Sequence, residues 1–506
     1  NNIGINADGD TGFDAGSGIC DTPAVGGPNE TYSGSIIIGG DTGVDATARN
    51  IISGSGVGIL LKGDYIGGMK IQGNYIGTDV NGTSSVAGWN GISMQNLSCS
   101  GGDGCFIGGD AAGKRNVISG NSNNGIYFHG TDVTGWQIQN NYIGVNKNGD
   151  TALANGGSGI FIESSGTDIT IGAASYPNII SGNNSLGIGT NNASGAITIN
   201  GNYIGLNAAG TGAVANGSDG IRINGSTAAL TLVVGDSSAI SPTNVISGNS
   251  GDGIGIIGSN TFLTGSIYST MIGLNVAGDA AVANGDDGIY TDDPVIIGFN
   301  SLDTGFNVIS GNAGDGIEVN GSATSEAISG NLIGTNLDGD ADFGNGAAGI
   351  NLVDNSTIVI GDSTAAAATN VVSGNVSFGI LLSNADDVEL YSTYIGTNKA
   401  GTGVLTNDDD SLNITESDNA IVGNTSSAGQ NLFASSALAD AMLNVTNSSV
   451  TVKGNVFGTD IATGTTDMCE TSFGVKPNSG ALITLGSVAA GEGNEIAHCS
   501  YGIYLG

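Results

Sequence analysis

The sequence predicts an all-β chain wound as a parallel β-helix, a solenoid of about sixteen coils with three short parallel sheets. Three observations carry this prediction: a phrase repeated at a fixed period, a Gly-Ile pair that returns once per coil, and a composition that mixes turn formers with β-branched residues.

The repeated phrase is "NVISGN…GI". It opens at Asn50, Asn116, Asn178, Asn244, Asn307, Asn370, Asn431 and Asn494, with gaps of 66, 62, 66, 63, 63, 61 and 63 residues. A second phrase lies between these anchors, as in "GNYIGTDVNGTSSVAGWNGISM" from Gly73 and "GNLIGTNLDGDADFGNGAAGINL" from Gly330. Each period of about 63 residues therefore holds two related halves, and each half ends in Gly-Ile. The glycine of that pair falls at Gly18, Gly58, Gly91, Gly125 and onward to Gly379. It degenerates at Ser411, Ala441 and Gly474 and returns at Gly502. A spacing near thirty residues is one coil, so residues 1–506 read as one solenoid, weakest in pattern over roughly 411–475.

Within a coil the pattern gives three strands. They are the Gly-Ile strand, a middle strand such as "WQIQ" at 136–139, and a strand headed by Asn, each bounded by Gly or Asn. Strands this short cannot bury a face alone, but stacked coils place equivalent residues about 4.8 Å apart around a continuous Ile/Val core. The heading amides, Asn50, Asn74, Asn116, Asn141, Asn178, Asn202, Asn244, Asn307 and Asn331, are then expected to stack as an asparagine ladder, broken at Thr270.

Composition bounds the partners. Forty-six acidic residues against ten basic ones give a formal charge of −36, which repels nucleic acid and anionic membranes and attracts divalent cations. No apolar run approaches the eighteen or so residues that span a bilayer. The chain begins at Asn1 with no initiator Met, which suggests a processed product. Sequons such as those at Asn81, Asn216 and Asn444 are plentiful, but no more so than chance gives in so Asn-rich a chain.

The two phrases resemble the repeats of right-handed parallel β-helix proteins of prokaryotic cell surfaces, within the pectin-lyase-like architecture. The resemblance implies the right hand of the helix and a prokaryotic, extracellular or cell-surface location. It leaves function open among lyases, glycosidases, adhesins and stalks. Enzymes of that architecture need either gathered basic groups or paired carboxylates. Here Lys62, Lys70, Lys114, Arg115, Lys147, Arg222, Lys399, Lys453 and Lys476 are spread along the chain. Arg222, in "GIRING", loosely matches an Arg-Ile-Lys strand of polygalacturonase-like enzymes, but no Asn-Thr-Asp or Gly-His-Gly segment accompanies it. The only histidines, His129 and His498, sit on distant coils and read as surface groups. The acid runs at Asp286-Asp287, Asp292-Asp293, Asp386-Asp387 and Asp408 to Asp410 read as solvated turns. No catalytic residue is therefore assigned.

No cofactor is required by this reading. Calcium is the candidate ion, at Asp338, Asp340 and Asp342 of "DGDAD" and at Asp8, Asp10 and Asp14 of "DGDTGFD", where oxygen ligands alternate around glycine. Five cysteines suggest an oxidising exterior. Cys99 can pair with Cys105 across a small loop, and Cys469 with Cys499 on adjacent coils, leaving Cys20 for a bond to another copy. The chain opens in "NNIGIN" and stops in "YGIYLG", which match in phase, so either the chain is cut from a longer solenoid or copies stack head to tail. The first reading is thus a non-catalytic extracellular structural protein, the subunit of a filament, sheath or fibre. The alternatives are a carbohydrate-binding or polysaccharide-cleaving β-helix, with Trp89 and Trp136 as the tryptophan platforms, and an adhesin stalk that meets surface glycans.

Overall fold

Short segments with apolar residues at alternate positions have one edge to bury, and each finds it against the same segment of the next coil. The computed structural model of the chain describes all residues except 9, 13–14, 21–30, 33–35, 42–47, 66–67, 100–103, 227, 259–262, 300–301, 303, 322–326, 355–356, 365–368, 425–428, 436–440, 462, 470–472, 487–491 and 506. It is a right-handed parallel β-helix. Sheet 1 holds sixteen Gly-Ile strands, from Ala15–Cys20 to Tyr501–Ile503. Sheet 2 holds fifteen middle strands, from Ile36–Gly39 to Leu482–Leu485. Sheet 3 holds sixteen Asn-headed strands, from Asn2–Ile3 to Glu495–Ile496.

The chain forms two compact units, residues 1–235 with 243–265, and residues 236–242 with 266–506. In the first, Ile92, Ile126, Ile160, Ile188, Ile221 and Ile254 stack in register on the inner side of sheet 1, all fully buried. In the second, Ile317, Ile350, Ile380, Leu412, Leu443 and Val475 form the corresponding column. The stretch with the weakest sequence pattern thus keeps its strands, Leu412–Thr415, Ala441–Thr446 and Phe473–Pro477. Phe433 and Phe457 stack there at 4.5 Å where other coils use Ile.

The glycine of the Gly-Ile pair is required by close approach. A Cβ on Gly91 would lie 2.6 Å from the carbonyl oxygen of Gly125 and 2.8 Å from Ile118 Cγ2. The tyrosine of "GNYIG" has an outward role. Tyr75 and Tyr142 sit with Ile51, Val117, Ile179, Val86 and Val145 in a second apolar layer, under loops closed by antiparallel bridges such as Thr78 to Ser85 and Val145 to Ala152. Arg49 and Arg115 cover those two rings, 4.1 and 4.2 Å from the centroids.

The asparagine ladder is present. Nδ2 of Asn50 donates to Oδ1 of Asn74, which continues to Asn116, Asn141, Asn178, Asn202 and Asn244 at 2.9–3.2 Å. In the second unit Asn307, Asn331 and Asn370 form one run, and Asn431, Asn455 and Asn494 another. Thr270 and Thr393 stand at ladder positions, each giving its backbone N–H to the next Asn, Asn307 and Asn431. A second ladder, not anticipated from sequence, runs from Asn121 through Asn155, Asn183 and Asn216 to Asn249, at 2.9 Å each. It recurs in the second unit from Asn284 through Asn312, Asn345 and Asn375 to Asn407.

Candidate functional site

Outward residues of sheet 1 form columns just as regular as the inward ones. In the first unit one column runs Leu60, Ser93, Tyr127, Phe161, and the next runs Lys62, Gln95, His129, Glu163. The columns bring together chemistry that lies 33 or 34 residues apart per step in sequence. The rings of Tyr127 and His129 stack at 4.6 Å, and Phe161 lies 6.1 Å from Tyr127. Tyr127 donates its hydroxyl hydrogen to Glu163 Oε2 at 2.6 Å, and Asn191 Nδ2 donates to Oε1 at 3.1 Å. Ser93 Oγ lies 3.2 Å from Nε2 of His129.

Electrostatics divides the roles. Burial first, then the charge of Lys62, holds the His129 imidazole below its ordinary range, with Glu163 opposing, so the ring is neutral and basic at neutral pH. Burial, then the hydrogen bond and charge of Glu163, pushes the Tyr127 phenol up to about 12, so it keeps its proton. A neutral imidazole can accept a proton, while the Tyr127 hydroxyl stays on Glu163, with two aromatic faces around them. His129 was expected to be a plain surface group. Its strand partners, which sequence distance hides, give it the other members of this cluster.

Arg222 is ion-paired to Asp219, which is buried and also accepts the Asp252 N–H at 3.2 Å. This pairing makes Arg222 structural. His498 is exposed in the second unit. Of the two tryptophans, Trp89 is 57% exposed, but Trp136 is in the core at 1%, because "WQIQ" turns its first residue inward beside Cys105. Trp136 is therefore no platform.

The acid runs need a similar correction. Asp287, Asp293 and Asp410 are buried, not solvated. The residue before the Gly-Ile pair brackets the next coil. Asp287 accepts the N–H of Asp315 at 2.7 Å, Asp315 that of Ala348 at 2.6 Å, and Asp410 that of Ala441 at 2.7 Å, while Asn90 and Asn124 serve in the same way in the first unit.

The two calcium candidates lie in loops. Asp10 and Asp340 each accept from the amide of the Asn four residues earlier, at 2.8 Å, and Asp342 accepts the Gly344 N–H at 2.9 Å. Asp8 and Asp338 are exposed, and Asp14 lies outside the described residues. A group with ligand atoms within 4.8 Å of one another stands elsewhere, at Asp287, Asp315 and Glu318 on sheet 1 of the second unit. Burial, then the charge of Asp315, raises the Glu318 carboxyl. These oxygens can hold a hard cation.

Cys99 is bonded to Cys105 and Cys469 to Cys499, with Cα separations of 6.1 and 4.7 Å, and Cys20 is free and exposed. Among the sequons, Asn81 is exposed and Asn444 half-buried, while Asn216 is fully buried in the second ladder and closed to modification. Among the described residues no helix is long and apolar enough to cross a membrane.

No family model and no curated protein matches the chain. One solved structure that does is the A-module of the mannuronan C-5 epimerase of Azotobacter vinelandii, 14% identical over 87% of this chain and 89% of that one, with a TM-score of 0.32. The similarity is too slight to transfer residue roles.

Proposed function

We propose that the protein is a polysaccharide-active β-helix that lays an extended glycan along the outer face of sheet 1 in the first unit. The observation that carries this reading is the contiguous Ser93, Tyr127, His129, Phe161 and Glu163 cluster. Coils spaced about 4.8 Å apart offer an extended polymer one set of contacts per coil. Aromatic faces suit sugar rings, and Glu163 and Asn191 suit hydroxyl groups. His129 takes a proton from the sugar and, once charged, can return it. With Glu163 held by the Tyr127 hydroxyl, this base fits proton abstraction better than hydrolysis by two carboxylates. Two disulfides favour an extracellular setting.

The test is incubation with uronic and neutral polysaccharides, following chain length and the ultraviolet absorbance of unsaturated sugars, for the native protein and His129→Gln. Turnover lost in the variant supports the reading, and a native protein that neither binds nor alters any of them ends it.

A second reading, head-to-tail stacking of copies into a filament, rests on Cys20, which is free and exposed. Electron microscopy with and without reductant tests it and the part of Cys20 together.

A further inference from the structure

Sheet 2 of the first unit carries a feature that the sheet 1 cluster does not use. Its outer face holds a shallow depression of about 130 Å³ lined by Lys70, Gln72, Phe106, Asp110, Lys114 and Gln139. That volume is below the usual range of a ligand cleft and takes a single sugar-sized group at most. The strands fix the geometry. Lys70 and Phe106 are register partners on the strands Met69–Gln72 and Cys105–Gly108, and the Cys99 to Cys105 disulfide pins the second strand beside Phe106.

Charge sets the ligand. Asp110 is bonded to Lys114 Nζ at 2.5 Å and held below the ordinary carboxylate range, first by that bond and charge and more weakly by Lys70. Lys114 and Asp110 cancel, while Lys70 forms no salt bridge or hydrogen bond among the described residues. The depression therefore keeps one uncompensated positive charge, on a molecule whose net charge is −36. The side chain of Gln72 lines the depression, with no hydrogen-bond partner for its carboxamide among the described residues. Phe106 gives a flat apolar wall, and the amides of Gln72 and Gln139 can donate and accept.

One cation, one aromatic face and two amides together fit a singly charged sugar. We infer that this depression binds an anionic sugar residue, its carboxylate or sulfate on Lys70, its ring against Phe106 and its hydroxyls on Gln72 and Gln139. The site lies on a different sheet from His129 and stands independently of any chemistry there.

Isothermal titration calorimetry tests it, with a uronate trisaccharide, a sulfated trisaccharide, their neutral counterpart and sodium sulfate as probes. The native protein is expected to bind at least one charged trisaccharide more than tenfold more tightly than the neutral one. Lys70→Met, which keeps the apolar stem, is expected to weaken that binding about tenfold with an unchanged unfolding temperature, and Lys114→Met serves as a second variant if the first folds poorly. His129→Gln is expected to leave this binding intact, which separates its failure from failure of the sheet 1 reading. Preference for the uronate or for the sulfated sugar identifies the source of the anion, and either supports the site. Equal affinity for the neutral trisaccharide, or no effect of either lysine variant, overturns it. Inorganic sulfate bound as tightly as the sugars overturns the sugar-specific part.

Discussion

The outer faces of sheet 1 in the two units rest on the same scaffold and carry different chemistry. In the first unit, successive coils present Ser93, Tyr127 and Phe161, with Gln95, His129 and Glu163 alongside. In the second, the corresponding columns present Glu318, Asn351, Leu381 and Asn413, with Asn320, Val353, Ser383 and Thr415. Behind both faces the inward column that follows the Gly is alike, Ile upon Ile in the first unit and Ile, Leu and Val in the second. Inward positions thus specify the coil and outward positions are free to vary, so function in this chain is to be sought where the repeats disagree.

The sharpest way to break this comparison is to change one face and then the other. His129→Gln is expected to lower turnover by roughly 10²–10⁴-fold, the usual worth of a positioned general base. Asn413→Ala at the second face is expected to leave it unchanged. Equal losses from both, measured on the same polysaccharide, would show that the cluster has no special part.

Next in size is the scaffold itself. Asn216→Ala removes a fully buried rung and leaves partners on the adjoining coils unpaired, an expected cost of about 1–3 kcal/mol in thermal or denaturant unfolding. At exposed Asn81 the same change should stay within about 0.5 kcal/mol. Similar costs at the two sites would mean that the second ladder contributes little.

The pH response refines the picture further. The folded protein holds the His129 imidazole below its ordinary 6.5, so near that pH it binds fewer protons than the unfolded chain. The contribution of His129 to stability is therefore fully present above 6.5 and is lost as pH falls toward the folded value. The acid limb of the rate profile should lie below 6.5, and a limb at or above 6.5 would contradict the role given to this ring. Tyr127 behaves in the opposite sense. Its contribution is present below 10 and disappears as pH rises toward about 12.

The smallest effect is expected at Asp340→Asn. This carboxylate is exposed, and the loop's own Asn336 still accepts the N–H groups of residues 340 and 341. Stability should move by no more than about 0.5 kcal/mol. A larger, calcium-dependent shift in unfolding temperature would mark the loop as an ion site.

The fold was legible because its signal is periodic. Gly91 and its equivalents, the heading asparagines and the alternating isoleucines announce one coil after another. The cluster around His129 was not legible, because its members are neighbours only across coils and each looks ordinary in its own strand. Aligning the repeats on Gly-Ile and reading down the outward positions would have placed Tyr127 beside Phe161 and His129 beside Glu163. The buried acids were misread for a related reason. Asp287 looks like a turn residue until the N–H of the next coil, which it accepts, is in place. Trp136 failed differently, since the phase of a four-residue strand does not reveal which side faces in.

The second ladder also bears on how the molecule ages. Asn-Gly is the sequence most prone to lose its side-chain amide, by attack of the following backbone nitrogen on the side-chain carbonyl. Asn155, Asn216 and Asn345 all precede glycine, yet each is fully buried. The attacking nitrogens, of Gly156, Gly217 and Gly346, are all committed as donors to the carbonyls of Asn121, Asn183 and Asn312 at 2.8 Å. The coil thus locks these weak bonds into a fully buried column, whereas the side chain of Asn81, which also precedes glycine, is exposed.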